Sequence, residues 1–257
     1  MKIEQVAVQM YTLRDHLKTP EDYDATLARV AEIGYKSVQI SGPRPISPAE
    51  IANLCRKYEL SINSTHESSD EILEDPQQVV ANLRDFGCTF TAYPYPRGVD
   101  FASRESVDAL IEGLNRAGKV LADAGFVLCY HNHNHEFRKL GNEVILDRIF
   151  RKTDPAYLQA EPDTYWVQYG GGNPEAYCRR LKNRLPLLHL KDYATNAENN
   201  HQFSEIGAGV LDFKAIIQAA EASGCKWFIV EQDVCPGSPF DSLAQSFRYI
   251  RDHLVED

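Results

Sequence analysis

The chain reads as an α/β protein of the (β/α)8 TIM-barrel class, one domain covering residues 1–257. Three observations point there. Short apolar runs rich in β-branched residues alternate with longer amphipathic ones, roughly every 30 residues, the mark of a repeated strand–helix unit. The length of 257 residues suits one barrel of eight such units. No glycine-rich fingerprint follows the first apolar run, as it would in a doubly wound nucleotide-binding sheet.

The elements follow in order. The first strand is expected in VAVQMY (6–11), followed by a helix in EDYDATLARVAEIGY (21–35), where Tyr23, Leu27, Val30 and Ile33 share a face. SVQI (37–40) precedes the helix PAEIANLCRKYEL (48–60), and INSTH (62–66) precedes PQQVVANLRDFG (76–87). FTAYPY (90–95) leads to a long helix across 103–124, and VLCYHN (127–132) to EVILDRIFRK (143–152). LQAEPD (158–163), PLLHLK (186–191) and FIVEQ (228–232) are the last strands, with helices NPEAYCRRLKNR, DFKAIIQAAEASG and FDSLAQSFRYIRDHL after them. Proline or aspartate opens several helices, and Gly34, Gly87, Gly125 and Gly224 suit left-handed caps at their ends. No linker or second domain interrupts the series.

Composition narrows the function. Apolar residues make up 43%, enough for a large core, and the formal charge is −10. An acidic surface repels phosphate polymers, so nucleic acid is not an expected partner. No apolar run approaches the length of a membrane span, and the start MKIEQVAVQMYTLRD lacks a signal peptide's apolar segment. Six scattered cysteines without a CxxC pair fit reduced thiols and a cytoplasmic location.

Barrels of this class do chemistry at the C-terminal ends of their strands. Here those ends carry Gln9 and Tyr11, Gln39, His66 and Glu67, the cluster YHNHNHEF (130–137), Glu161 and Asp163, His189 and Lys191, and Glu231 and Asp233. Strands five to eight each finish on a carboxylate or imidazole. Gathered in a partly dry cleft, such groups need a compensating cation. A divalent metal supplies it, and a mostly oxygen donor set suits manganese, magnesium or cobalt and is compatible with zinc.

The succession YHNHNHEF, PDTYWVQYGGGNP, HLKD, GAGVLDF and VEQD, after the opening VQMYTLRD, resembles the sugar phosphate isomerase/epimerase family, with its xylose isomerase-like TIM barrel. It is also similar to inosose dehydratase and tagatose/psicose epimerase relatives. The resemblance runs through nearly the whole chain. It implies one divalent metal, manganese first, held by Glu136, Asp163, His189 and Glu231. Where relatives often end the second strand in glutamate, this chain has Gln39.

Several residues carry two readings. Asp163 is a ligand or the cap of the next helix, and Glu136 a ligand or a surface residue. His133, three residues before Glu136, is the candidate general acid or base. His131 either steadies a neighbour from the barrel interior or replaces Glu136 as ligand, and His135 is structural. His66 is a substrate-side group or a core histidine. Lys191 polarises a carbonyl or pairs with Glu161. Tyr11 and Trp166 offer flat walls for a sugar ring, and GAGVLDF is a loop that could close over substrate.

The expected activity is that of a metal-dependent isomerase or epimerase. It would abstract a proton beside the carbonyl of a ketose or keto-sugar, with His133, Glu161 and Lys191 as the proton-handling groups around a metal-stabilised enediolate. The alternative is a lyase or dehydratase on a keto-sugar, keto-cyclitol or 3-oxo-glycoside. An abasic-site endonuclease conflicts with the −10 charge, and a non-catalytic partner subunit leaves the ligand set without a role. The expected partner is a small sugar, with a homo-oligomer left open. Arg97 and Lys191 are isolated in sequence, which favours an unphosphorylated substrate.

Overall fold

The computed structural model describes residues 1–256. Its barrel strands are β1 (Val6–Gln9), β2 (Ser37–Ile40), β3 (Ser61–His66), β4 (Phe90–Tyr93), β5 (Val127–His131), β6 (Leu158–Glu161), β7 (Leu187–Leu190) and β8 (Trp227–Val230). They form one eight-stranded parallel sheet in the order β6-β5-β4-β3-β2-β1-β8-β7. The ends of that sheet meet at a seam between β6 and β7, where Asp163 and His189 make a parallel bridge and His189 N–H donates to Pro162 O at 2.9 Å. The barrel is therefore nearly closed, and its weakest join lies at two of the predicted ligands.

The helices are α1 (Pro20–Ile33), α2 (Pro48–Lys57), α3 (Ser69–Glu74), α4 (Pro76–Phe86), α5 (Arg104–Asp123), α6 (Ile145–Lys152), α7 (Thr164–Tyr169), α8 (Pro174–Arg180), α9 (Phe213–Ala222) and α10 (Pro239–His253). Local chemistry explains their starts. Thr19 and Ser47 build capping boxes with Asp22 and Glu50, and proline fills the first turn of α1 and α2. Gly34 and Gly87 end α1 and α4 at φ of 119° and 72°, as the glycine spacing predicts. Among the described residues, no helix is long and apolar enough to cross a membrane.

Two short helices, α3 and α7, were not expected. Each has six residues, too few for a periodic pattern to show. Two small antiparallel hairpins were also missed: Lys139–Leu140 with Glu143–Val144, which takes the predicted start of α6, and Asp192–Thr195 with His201–Ser204.

Strand alternation sorts the core into two parts. Ala7, Ala92, Cys129, Leu187 and Ile229 form a cluster of their own inside the barrel. Their sequence neighbours, such as Val6, Val8, Leu128, Tyr130, Phe228 and Val230, pack in the larger cluster beneath the helices.

Candidate metal centre

The period of two carries the inward-facing rows upward from that apolar floor. Two residues beyond Ala7, Cys129, Leu187 and Ile229 come Gln9, His131, His189 and Glu231, all buried. A further step gives His133, Lys191 and Asp233, while β6 ends on Glu161 and Asp163 follows two residues later. The apolar floor thus becomes a polar layer over about one strand pleat, at the end of the barrel where the loops open.

One atom each from His131, Asp163, His189 and Glu231 lie within 4.8 Å of one another, and all four residues are buried. His131 Nδ1 makes no hydrogen bond, with Glu161 Oε2 the near carboxylate at 3.4 Å, and Asp163 Oδ2 is met by the Lys191 ammonium at 2.9 Å. Two buried carboxylates and two imidazoles converge here with one ammonium beside them, a donor set that calls for further positive charge. A divalent cation fits the set. Two imidazole nitrogens with two carboxylates make a more nitrogen-rich site than the sequence implied, suited to manganese, cobalt or zinc. Two other groupings are already engaged. In His66, His131, Glu161 and His189, the Glu161 oxygens take hydrogen bonds from Gln39 (2.5 Å) and His66 Nε2 (2.6 Å). In His133, His135 and Glu136, both Glu136 oxygens accept bonds, from Tyr130 Oη–H and His133 N–H, each at 2.9 Å.

Gln39 lies at the base of the centre with every polar site used. Its amide N–H groups donate to Glu161 and to Ser64 Oγ (2.8 Å), and its oxygen accepts from Gln9 (2.6 Å) and from His189 Nε2 (2.8 Å). His189 Nε2–H thus donates to Gln39, and in the protonated ring Nδ1–H donates to Glu231 Oε2 at 2.8 Å. Gln9 also reaches His66 Nδ1 at 3.1 Å, which leaves His66 Nε2 to donate to Glu161.

Electrostatics follow from the crowding. The Lys191 ammonium lies 2.9, 2.8 and 2.9 Å from Asp163, Glu231 and Asp233. Burial opposes its charge, but those carboxylates hold its pKa well above the usual lysine range. Burial likewise opposes the His189 charge, yet Glu161 and then Glu231 lift its pKa to about 10. His131 goes the other way, down to about 3, through burial and the neighbouring His189. Burial also drives His133 well below its usual value, reinforced by His131 and Lys191. Asp163 rises to about 6 through burial, against the pull of Lys191.

The structure brings Asp163, His189 and Glu231 together, and the fourth side chain beside them is His131. Glu136 stands apart in a short 3-10 turn, His135–Phe137, fully buried against Tyr130. Burial pushes its carboxyl up to about 7. Asp163 meets both of its readings: Oδ1 accepts from Trp166 N–H at 3.0 Å and caps α7, while Oδ2 faces the cluster. Glu161 is sealed beneath the centre and is not among the residues lining the cavity. Lys191 pairs with Asp163, Glu231 and Asp233, not with Glu161. His66, His131, His133, Lys191 and Tyr11 line a cavity of about 540 Å³ above the centre. Trp166 stands behind it, its ring 5.4 Å from that of His133 and 5.6 Å from Lys191 Nζ. The GAGVLDF loop is tied down by Asp192, whose carboxylate accepts N–H groups of Gly207 and Gly209 at 2.9 Å and of Leu211 at 3.3 Å. Sequence reasoning passed over Tyr95, whose edge meets the His133 and His135 rings, and left Asp233 without a role.

Comparison with known proteins agrees with this architecture. Residues 27–253 match the family of xylose isomerase-like TIM barrels. An inosose dehydratase of Geobacillus thermodenitrificans is 30% identical over 167 residues, 58% of this chain and 55% of that protein. The chain thus aligns with about half the length of that relative. A sugar phosphate isomerase/epimerase from Parabacteroides distasonis superposes with a TM-score of 0.82 at 22% identity, covering 99% of this chain and 96% of that one. A xylose isomerase-like TIM barrel protein from Mycobacterium smegmatis, solved in complex with magnesium, superposes with a TM-score of 0.75 at 15% identity over 96% and 95% of the two chains. With eight parallel strands, a polar layer at their C-terminal ends and a family match across most of its length, this chain belongs to the xylose isomerase-like TIM barrel family.

Proposed function

We propose that the protein is a divalent-metal-dependent lyase acting on a keto-sugar or keto-cyclitol, removing a proton beside the carbonyl and expelling a group from the next carbon. The observation that carries this reading is the buried quartet His131, Asp163, His189 and Glu231, whose potential ligand atoms converge at the floor of a cavity. A divalent ion held there supplies a Lewis acid for a carbonyl and an adjacent hydroxyl. His133 lines the cavity, and burial keeps its ring neutral, the form that accepts a proton. The Lys191 ammonium, held by three carboxylates, lines the same cavity, and its positive charge would stabilise a developing oxyanion or leaving oxygen there.

Isomerisation or epimerisation, the reading that led from the sequence, is the second choice. Epimerisation needs proton-handling groups on two faces of one carbon, and Glu161, the expected partner of His133, is sealed below the centre. Elimination needs one base and one donor, and the dehydratase relative supports it.

The test is incubation with inososes, 3-oxo-glucosides and ketoses in deuterated water with Mn²⁺, followed by NMR. Loss of water or alcohol with an enone product supports elimination. Deuterium at an α-carbon of recovered or isomerised sugar selects the second choice, and no change in any compound rejects both. His133→Ala is expected to lower turnover about 10²–10⁴-fold with metal content intact; normal turnover would remove His133 from its role.

A further inference from the structure

The cavity reaches well beyond the quartet. A single sugar ring with about twelve non-hydrogen atoms would fill at most about 360 Å³, even at the ~30 Å³ share of a liquid water molecule for each. The volume of about 540 Å³ leaves room for more. The extra space lies against the loops after β2, β3 and β4, where Ser41, Arg44, Ser69, Asp70, Tyr95 and Arg97 form the wall.

The charges of that wall cancel locally. Arg44 donates to both oxygens of buried Glu67 at 2.9 Å, and Asn82 holds the same carboxylate at 2.9 Å. Arg97 faces Asp70 at 3.7 Å. A phosphate would have to compete with carboxylates already in place. Two aromatic side chains stand unusually open on the same cavity, Tyr11 at 40% and Tyr95 at 51% exposure. The Arg14 guanidinium lies 4.6 Å from the Tyr11 ring and backs it. Tyr95 touches the His133 ring at 5.2 Å, so it stands where the outer chamber joins the reactive end. Exposed tyrosine faces cover the apolar face of a ring while neighbouring hydroxyl and guanidinium groups serve its oxygens.

We propose that this outer chamber is a subsite for an uncharged second ring, so that the substrate is a glycoside rather than a single free or phosphorylated sugar. The inference rests on the keto-sugar reading above for the reactive end, but the chamber is tested by binding alone. Isothermal calorimetry on the Mn²⁺-loaded protein would compare methyl β-glucoside, phenyl β-glucoside, cellobiose and glucose 6-phosphate. Phenyl β-glucoside and cellobiose are expected to bind about tenfold more tightly than methyl β-glucoside, a difference of ~1.4 kcal/mol. Tyr95→Leu, at an exposed site that does not threaten folding, should collapse that ratio towards one, and Tyr95→Phe should keep it. Equal affinity for one- and two-ring probes, tightest binding of the phosphate, or a ratio that survives Tyr95→Leu would each overturn the proposal. Because these probes carry no ketone, absence of turnover with every keto compound would sink the lyase reading and leave this measurement standing.

Discussion

The two halves of the barrel rim treat polarity differently. Strands β5 to β8 and the segments after them bring charged and imidazole groups into contact, and leave buried ring nitrogens of His131, His133 and His135 without a hydrogen bond. Strands β1 to β4 bring amides and hydroxyls, Gln9, Gln39, Ser64 and Thr65, and each ion pair in their loops is matched within itself. The late half gathers a donor set of the kind that holds a cation, whereas the early half is neutral apart from internally paired ions. The contrast teaches where chemistry and recognition divide: the unbalanced side acts, and the balanced side holds.

The comparison can be broken most forcefully at Lys191. Lys191→Met leaves Asp163, Glu231 and Asp233 without their ammonium, and loss of one partner in a buried ionic cluster costs about 3–5 kcal/mol. Urea unfolding of metal-free protein should show that loss, and saturating Mn²⁺ should recover most of it. A variant as stable as wild type without metal would mean that the late half is not charge-strained.

Glu136 tests whether a buried carboxylate near the centre belongs to it. Its pKa in the fold is raised to about 7 from 4.5, mainly by burial. A carboxyl with a raised value favours the fold fully below its unfolded pKa, and that contribution is lost as pH rises through 7. The penalty at pH 8 amounts to about 3 kcal/mol. Glu136→Gln, which never ionises, should match wild type near pH 5, exceed it in stability at pH 8, and keep its metal. Loss of metal from this variant would restore Glu136 to the ligand set.

Asp163→Asn sharpens the contrast on the metal itself. It keeps the cap on α7 but removes the charge of the oxygen that faces the cluster, and affinity for Mn²⁺ by calorimetry should fall about 100-fold, just under 3 kcal/mol. Gln39→Leu probes the balanced half. It touches no proposed ligand atom except through His189 Nε2, so a 10–100-fold loss of metal affinity is expected, the range for groups that orient ligands. An unchanged affinity would show that the early strands do not prepare the late ones.

Much of this was legible in the sequence because strand parity is strict. SVQI is a strand over the predicted residues 37–40, and the inward rows ending in Asp163, His189 and Glu231 follow from counting by two. Legibility stopped where the strands stop. Glu136 lies five residues beyond His131, inside a 3-10 turn that abandons the alternation, so its sequence position did not reveal which way its carboxyl turns. His131 is the last residue of its strand and kept its inward direction, which is why its ring, and not the Glu136 carboxyl, stands among Asp163, His189 and Glu231. Glu161 shared its parity with Asp163, but depth within the barrel is not written in parity: one lies under the centre and the other in it. Pairings between distant loops, such as Asp192 with Gly207 and Gly209, had no local signal at all.

The choice of an amide at position 39 has a consequence for behaviour across acidity. A glutamate in that place would gain and lose a proton beside Glu161 and His189, and the ring it orients would be released or gripped accordingly. A carboxamide has no such second state. The direction in which His189 presents Nδ1 is therefore set by a group with no proton of its own to gain or lose, whatever the charge on the ring.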